Sequence, residues 1–193
     1  MHYDTMPDAK DLALKVDSTL GLFAKAEDAY DIVITVNDNV TFNLYTLITC
    51  IDGNSDVKIH INCGSDTNVN VVAKNFAGKN GKISFTSGIE IARQQKAVSA
   101  SIDIKNYLLH DTSEISSNPD LWIYSKDVSC SHGCTMSTFD NDQLFYMNSR
   151  GIEKSKEILV EGYIQNILDK FPAPKHLMFK QNINHVQELF SGI

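Results

Sequence analysis

The stretch Val57-Lys58-Ile59-His60-Ile61-Asn62-Cys63 decides the fold class, because its apolar residues fall on every second position and polar ones lie between them. A period of two puts successive side chains on opposite faces of an extended chain, so this is a half-buried strand with His60 facing out. The pattern spreads in both directions. Asn68-Val69-Asn70-Val71 and Lys82-Ile83-Ser84-Phe85-Thr86 repeat it. Segments rich in Val, Ile, Thr and aromatics at 31–36, 40–51, 68–73, 82–86, 98–104, 121–124 and 127–132 read as further strands. Asp52-Gly53-Asn54 and Gly78-Lys79-Asn80-Gly81 punctuate them as turns. No long amphipathic helix separates these strands, which excludes a doubly wound α/β sheet and leaves a sandwich, a barrel or a β-solenoid. Outer faces rich in Asn, Ser, Thr and Asp suit a solenoid, although no hexapeptide repeat is visible.

The two ends read differently. In 9–29, Leu12, Leu14 and Val16 alternate like a strand, while Phe23 to Tyr30 reads as one or two helical turns. Past residue 140 the signals are helical. Asp140 to Asp142 offer an N-cap before Gln143-Leu144-Phe145-Tyr146-Met147, and Arg150-Gly151 ends that helix. Between Glu153 and Lys170, Ile158, Leu159, Gly162, Tyr163, Asn166 and Ile167 recur at helical spacing, predicting an amphipathic helix that stops at Phe171-Pro172-Ala173-Pro174. A last helix is expected over 183–190. The chain thus divides into a β core over 1–139 and a C-terminal helical domain over 140–193.

Composition narrows the function classes. With 42% hydrophobic and 21% charged residues in 193, the chain is an ordinary globular one. No apolar run is long enough to span a membrane, and Met1 to Lys10, with Asp4 and Asp8, lacks the apolar core of a secretory leader. A cytoplasmic address is expected. A net charge of −7 with scattered Lys and Arg weighs against nucleic acid as a partner.

The densest chemistry lies in Val128-Ser129-Cys130-Ser131-His132-Gly133-Cys134-Thr135. If this segment is extended, Cys130, His132 and Cys134 share one face, and thiolate and imidazole are the ligands that hold iron, zinc or iron–sulfur units. Three such groups do not close a tetrahedral site, so a further ligand would come from elsewhere or from a second chain. The alternative is that both cysteines are core residues and His132 a hydrogen-bonded turn residue. None of the four cysteines forms a C-x-x-C pair, which removes the usual thioredoxin and zinc-ribbon readings. His60 reads as an outer strand residue, His110 beside Asp111 as an ion-paired turn or a ligand, and His176 and His185 as surface groups. Phosphate-loop, dinucleotide, G-x-S-x-G and H-E-x-x-H motifs are absent. Asp140 and Asp142 read as helix caps rather than general acids, and no catalytic residue is expected.

Taken together, Pro119-Asp120-Leu121-Trp122-Ile123-Tyr124, the 127–135 segment, Gln143-Leu144-Phe145-Tyr146 and Ser149-Arg150-Gly151-Ile152 resemble the C-terminal half of the SufB/SufD family of iron–sulfur cluster assembly scaffolds. Asn106-Tyr107-Leu108-Leu109 and Gly81-Lys82-Ile83-Ser84-Phe85 also match family positions, so the resemblance spans about residues 65–165. Cys-Ser-His-Gly at 130–133 is similar to the SufD branch. The resemblance implies a mainly β protein, a right-handed parallel β-helix followed by a small helical domain. It implies a non-catalytic scaffold subunit that pairs with a SufB-like partner through the β-helix and binds the ABC-type ATPase SufC through its helices. His132 matches the histidine at the SufB–SufD interface and Cys130 its neighbouring cysteine. The cluster would be transient and shared with the SufB-like partner, with no cofactor held tightly by this chain alone, and a homodimer is expected when partners are absent. Tyr146, Ile158, Tyr163 and Ile167 are the expected SufC contacts. Cys134 stands where the family has Ala and either adds a ligand or fills the core. The chain is shorter than usual members, which implies a reduced form or a fragment without the N-terminal helical domain. Two other readings are an interaction protein that binds partners without supporting a cluster, and an enzyme on a β-solenoid.

Overall fold

The computed structural model of the protein describes residues 11–170. His176, His185, the Phe171–Pro174 stop and the helix expected over 183–190 lie outside the described residues.

Ten strands and two helices follow one another: β1 (Asp11–Leu14), β2 (Ser18–Ala24), β3 (Ala29–Val36), β4 (Thr41–Cys50), β5 (Gly53–Cys63), β6 (Asn68–Ala77), β7 (Gly81–Ile91), β8 (Val98–Leu108), β9 (Glu114–Ile123), β10 (Val128–Ser137), α1 (Asn141–Ser149) and α2 (Ser155–Leu168). Odd strands form one five-stranded sheet in the order β1-β3-β5-β7-β9, and even strands a second in the order β10-β8-β6-β4-β2. Every pairing is parallel. A chain that alternates between two sheets and advances one place each time is a parallel β-solenoid, the architecture that the resemblance implies.

The alternation in the sequence becomes vertical stacks. Ile34, Ile61, Ile89 and Leu121 lie in register in the odd sheet, as do Phe42, Val69 and Ala100 in the even one. All but Leu121 are buried in one cluster between the sheets. Each large aliphatic side chain buried this way contributes about 1.5–3 kcal/mol, so the stacks dominate stability. The corners are tight. Asn39, Asp66 and Ala97 turn one corner with positive φ, and Glu27, Gly53 and Asn80 the other.

Two expectations change. The segment 23–30 is not helical: β2 ends at Ala24, β3 begins at Ala29, and between them the Lys25 N–H donates to Asp28 Oδ2 at 2.8 Å while Glu27 takes φ 68°. A side-chain-capped turn of this kind carries the same residue types as a short helix. The last strand of the odd sheet runs from Glu114 rather than Leu121, because its Ser116, Asn118 and Pro119 belong to an edge strand, where a missing N–H costs nothing.

The helix α1 begins where Asp140 accepts hydrogen bonds from the N–H groups of Asp142 and Gln143, as the cap predicts. The helix α2 packs on the outer face of the even sheet, and here the expected stripe is rotated. Val160, Ile164 and Ile167 are buried against Leu47, Phe76 and Leu109, whereas Ile158, Gly162 and Asn166 are exposed. Tyr163 stacks on Tyr107, which stacks on Phe76, with ring centroids 4.8 and 4.6 Å apart. Lys74 Nζ pins the helix by donating to the Tyr163 carbonyl at 2.7 Å and to Asn166 Oδ1 at 3.1 Å. No helix among the described residues is long and apolar enough to cross a membrane.

Candidate functional site

The inward rows of the even sheet change chemistry at the last rung. Phe42, Val69 and Ala100 are followed in register by Cys130; Leu44, Val71 and Ile102 by His132; Thr46, Ala73 and Ile104 by Cys134. The cysteine–histidine–cysteine face therefore continues the solenoid core and terminates it. β9 and β10 are edge strands of their sheets, so no further rung covers this face among the described residues. Cys130 is half-buried, and His132 and Cys134 are exposed. The expectation that the three residues share one face holds.

Neighbouring rungs fix the orientation of two of them. His132 Nδ1 lies 3.1 Å from the Pro119 carbonyl, which accepts only, so Nδ1 donates and in the neutral ring the lone pair is on Nε2. A histidine that binds metal is held in this way, by donating its second ring nitrogen to a carbonyl. Asn106 Nδ2 donates to Cys134 Sγ at 3.4 Å. Burial pushes the Cys130 thiol above its ordinary range. Cys63, deeper in the core, is pushed up to about 12 by burial and by the nearby Cys130 sulfur, and is an inert thiol.

Spacing limits what the face can hold. Residues two apart on a strand sit about 7 Å apart, while metal–sulfur and metal–nitrogen bonds are about 2.0–2.3 Å long. Among the described residues, no group of three or more His, Cys, Asp or Glu side chains gathers closely enough to hold a metal ion. The face suits single-point contacts to a multi-iron unit, with other ligands coming from outside the chain.

The remaining residues singled out in the sequence lie elsewhere. His60 is half-buried on the outer face of β5, with Nε2 3.0 Å from Asn62 Oδ1 and 3.3 Å from Glu90 Oε2, and its ring 5.2 Å from that of Trp122. His110 sits in the turn after β8 and contacts Thr112 Oγ1 at 2.9 Å, with no ion pair to Asp111 among the described contacts. Of the expected helical contacts, Tyr146 and Ile158 are exposed at 60% and 48%. Ile167 is fully buried, and Tyr163 is half-buried in an aromatic stack. Phe145, 74% exposed, went unnoticed in the sequence. Its neighbours in α1 explain why it matters: the helix has no fully buried residue, and Leu144 and Met147 are only half-buried. Asn106 and the Pro119 carbonyl also went unnoticed. A polar residue at an inward position of the 98–106 alternation was the available signal for Asn106.

Comparison with known proteins closes the assignment. The family model for the SUF system FeS cluster assembly SufBD core domain matches residues 28–163, well over half of the chain. The chain is 30% identical over 115 residues to "Protein ABCI7, chloroplastic" of Arabidopsis thaliana, covering 58% of this chain and 24% of that protein. It is 33% identical over 81 residues to the iron-sulfur cluster assembly protein SufD of Escherichia coli, covering 42% and 19%. A SufBD family protein of Staphylococcus epidermidis is 26% identical over 109 residues, covering 55% and 23%. The matched stretches thus span about a quarter or less of these relatives. The extent of the family match, the parallel solenoid and the SufD and SufBD-family relatives make this chain a SufD-like member of the SufBD family of the SUF iron–sulfur cluster assembly system.

Proposed function

We propose that the chain is a non-catalytic, cytoplasmic scaffold subunit that pairs with a SufB-like protein at the open end of its solenoid, and that nascent iron–sulfur material is its cargo there. The observation that carries this reading is the replacement of apolar core rows by Cys130, His132 and Cys134 on the last rung of the described solenoid. The edges of β9 and β10 also present free N–H and C=O groups, which a partner's strands can extend. His132 offers Nε2 to iron, Cys130 and Cys134 offer sulfur, and the partner supplies the missing ligands. The chain alone would form a weaker homodimer through the same edges.

The helices carry the second contact. Phe145 and Tyr146 on α1 and Ile158 on α2 are exposed apolar side chains suited to contact a SufC-like ABC-type ATPase. ATP hydrolysed by that partner would move the helices and reshape the terminal rung. The division of labour then falls near residue 140: cargo on the solenoid, motor on the helices. Co-expression with SufB-like and SufC-like partners, followed by size analysis, tests this reading. A ternary complex that loses the ATPase subunit on Phe145→Asp, and keeps the SufB-like subunit, is expected; failure to form any complex contradicts it.

A further inference from the structure

We propose that Asn106 is a positioning residue that aims the Cys134 sulfur at the open end of the solenoid, making Cys134 a third donor of the terminal face; this rests on the assembly role proposed above. The even sheet's fourth inward row begins with Ala24 and Ile48 and then switches to Asn75 and Asn106 before reaching Met136. Both amides are fully buried in a core that is mostly apolar. Burying an amide there costs stability unless its groups are paired, and Asn75 Oδ1 has no partner. Ile48 in the same row shows that an aliphatic side chain fits the geometry, so packing does not require the amides.

Their hydrogen bonds run one way. Asn75 Nδ2 donates to Asn106 Oδ1 at 2.8 Å and to Ser117 Oγ at 3.3 Å, and Ser117 Oγ donates to Asn106 Oδ1 at 2.9 Å. Two donors converging on Oδ1 leave the Asn106 amide one orientation, with its N–H edge toward Cys134 Sγ, 3.4 Å away. The sulfur also lies 3.9 Å from the Ser117 carbonyl, and Cys134 itself is exposed. The ladder thus spans three rungs, from Asn75 on β6 to the terminal strand, and ends on a thiol reachable from outside. An N–H donated to sulfur holds it in one direction, as groups behind a ligand do. Hydrogen bonds to cluster sulfurs are also a recognised means of tuning a cluster.

The test uses the full chain, wild type and with Asn106→Leu, Cys134→Ala and both together. In the metal-free chain at one fixed pH, alkylation by iodoacetamide is followed at Cys134 and Cys130 by peptide mass. Asn106→Leu, which no longer holds the sulfur toward the open end, is expected to slow Cys134 by about threefold or more while leaving Cys130 unchanged. After anaerobic reconstitution with a SufB-like partner, Asn106→Leu and Cys134→Ala should each lower iron and sulfide, and the double variant should fall no further than Cys134→Ala. An unchanged Cys134 rate in Asn106→Leu, or additive losses in the double variant, overturns the positioning role even if wild type loads normally. Wild type that takes up no iron or sulfide removes the donor role together with the assembly reading. If Asn106→Leu does not fold, Ser117→Ala, which frees one constraint on the amide, carries the same test and should slow Cys134 alkylation by a smaller factor.

Discussion

Lys74 is the residue whose chemistry ties the two parts of the molecule together. Its ammonium is buried against neutral acceptors of α2, and burial, with Lys105 and Lys170 nearby, lowers its pKa from 10.5 to about 8. Below about 8 both native and unfolded chains carry the charge, and the cost of burying it is present in full. Between about 8 and 10.5 the native chain has shed a proton that the unfolded chain still holds, so stability rises with pH across that window. The urea midpoint of wild type measured against Lys74→Met should therefore improve from pH 8 to 10; a difference that is flat with pH would contradict this. Cys130, His132 and Cys134 were legible in the sequence because alternation along one strand is a local property. The groups that orient them were not, because Pro119 and Asn106 reach them from other strands, 13 and 28 residues away.

Among the elements, α2 separates buried from exposed apolar residues cleanly. Ile167→Ala removes a fully buried side chain from the seam and should cost about 2–5 kcal/mol in chemical denaturation. Ile158→Asp alters an exposed one and should leave stability within about 0.5 kcal/mol while weakening ATPase-subunit binding. Equal stability losses in the two would mean the helix is rotated from the arrangement described. The helix was legible as a helix, but its inner face only in part: the stripe from Ile158 and Leu159 through Tyr163 to Ile167 shares Ile167 with the buried face, and only the Leu47, Phe76 and Leu109 patch selects Val160 and Ile164 beside it. On the odd sheet, β7 carries Gly88 because the Trp122 ring of β9 lies across it, and a Cβ there would overlap the indole. Gly88→Ala should displace the chain's single tryptophan, shifting its fluorescence to the red and costing about 1–3 kcal/mol. Unchanged emission would show that the ring does not lie on Gly88.

At the scale of the whole molecule, the solenoid was hard to read because its rungs differ in length. Hydrogen bonds between successive rungs join residues 24 apart at Thr41 and Asp17, 27 at Ser65 and Asp38, and 31 at Asn75 and Asn106. A repeat that drifts this way leaves no fixed period, so alternation alone could not separate a solenoid from a sandwich, and the motif resemblance was needed. Once wound, the same drift still brings every inward position into register, and the open end gathers what the sequence showed as one short cluster. The central claim is that this end helps build iron–sulfur clusters with a partner. Its most direct test is the iron and sulfide content of the anaerobically isolated complex with SufB-like and SufC-like subunits, compared between wild type and His132→Ala. The account predicts an intact complex whose cluster content falls several-fold in the variant; equal content in both would contradict it.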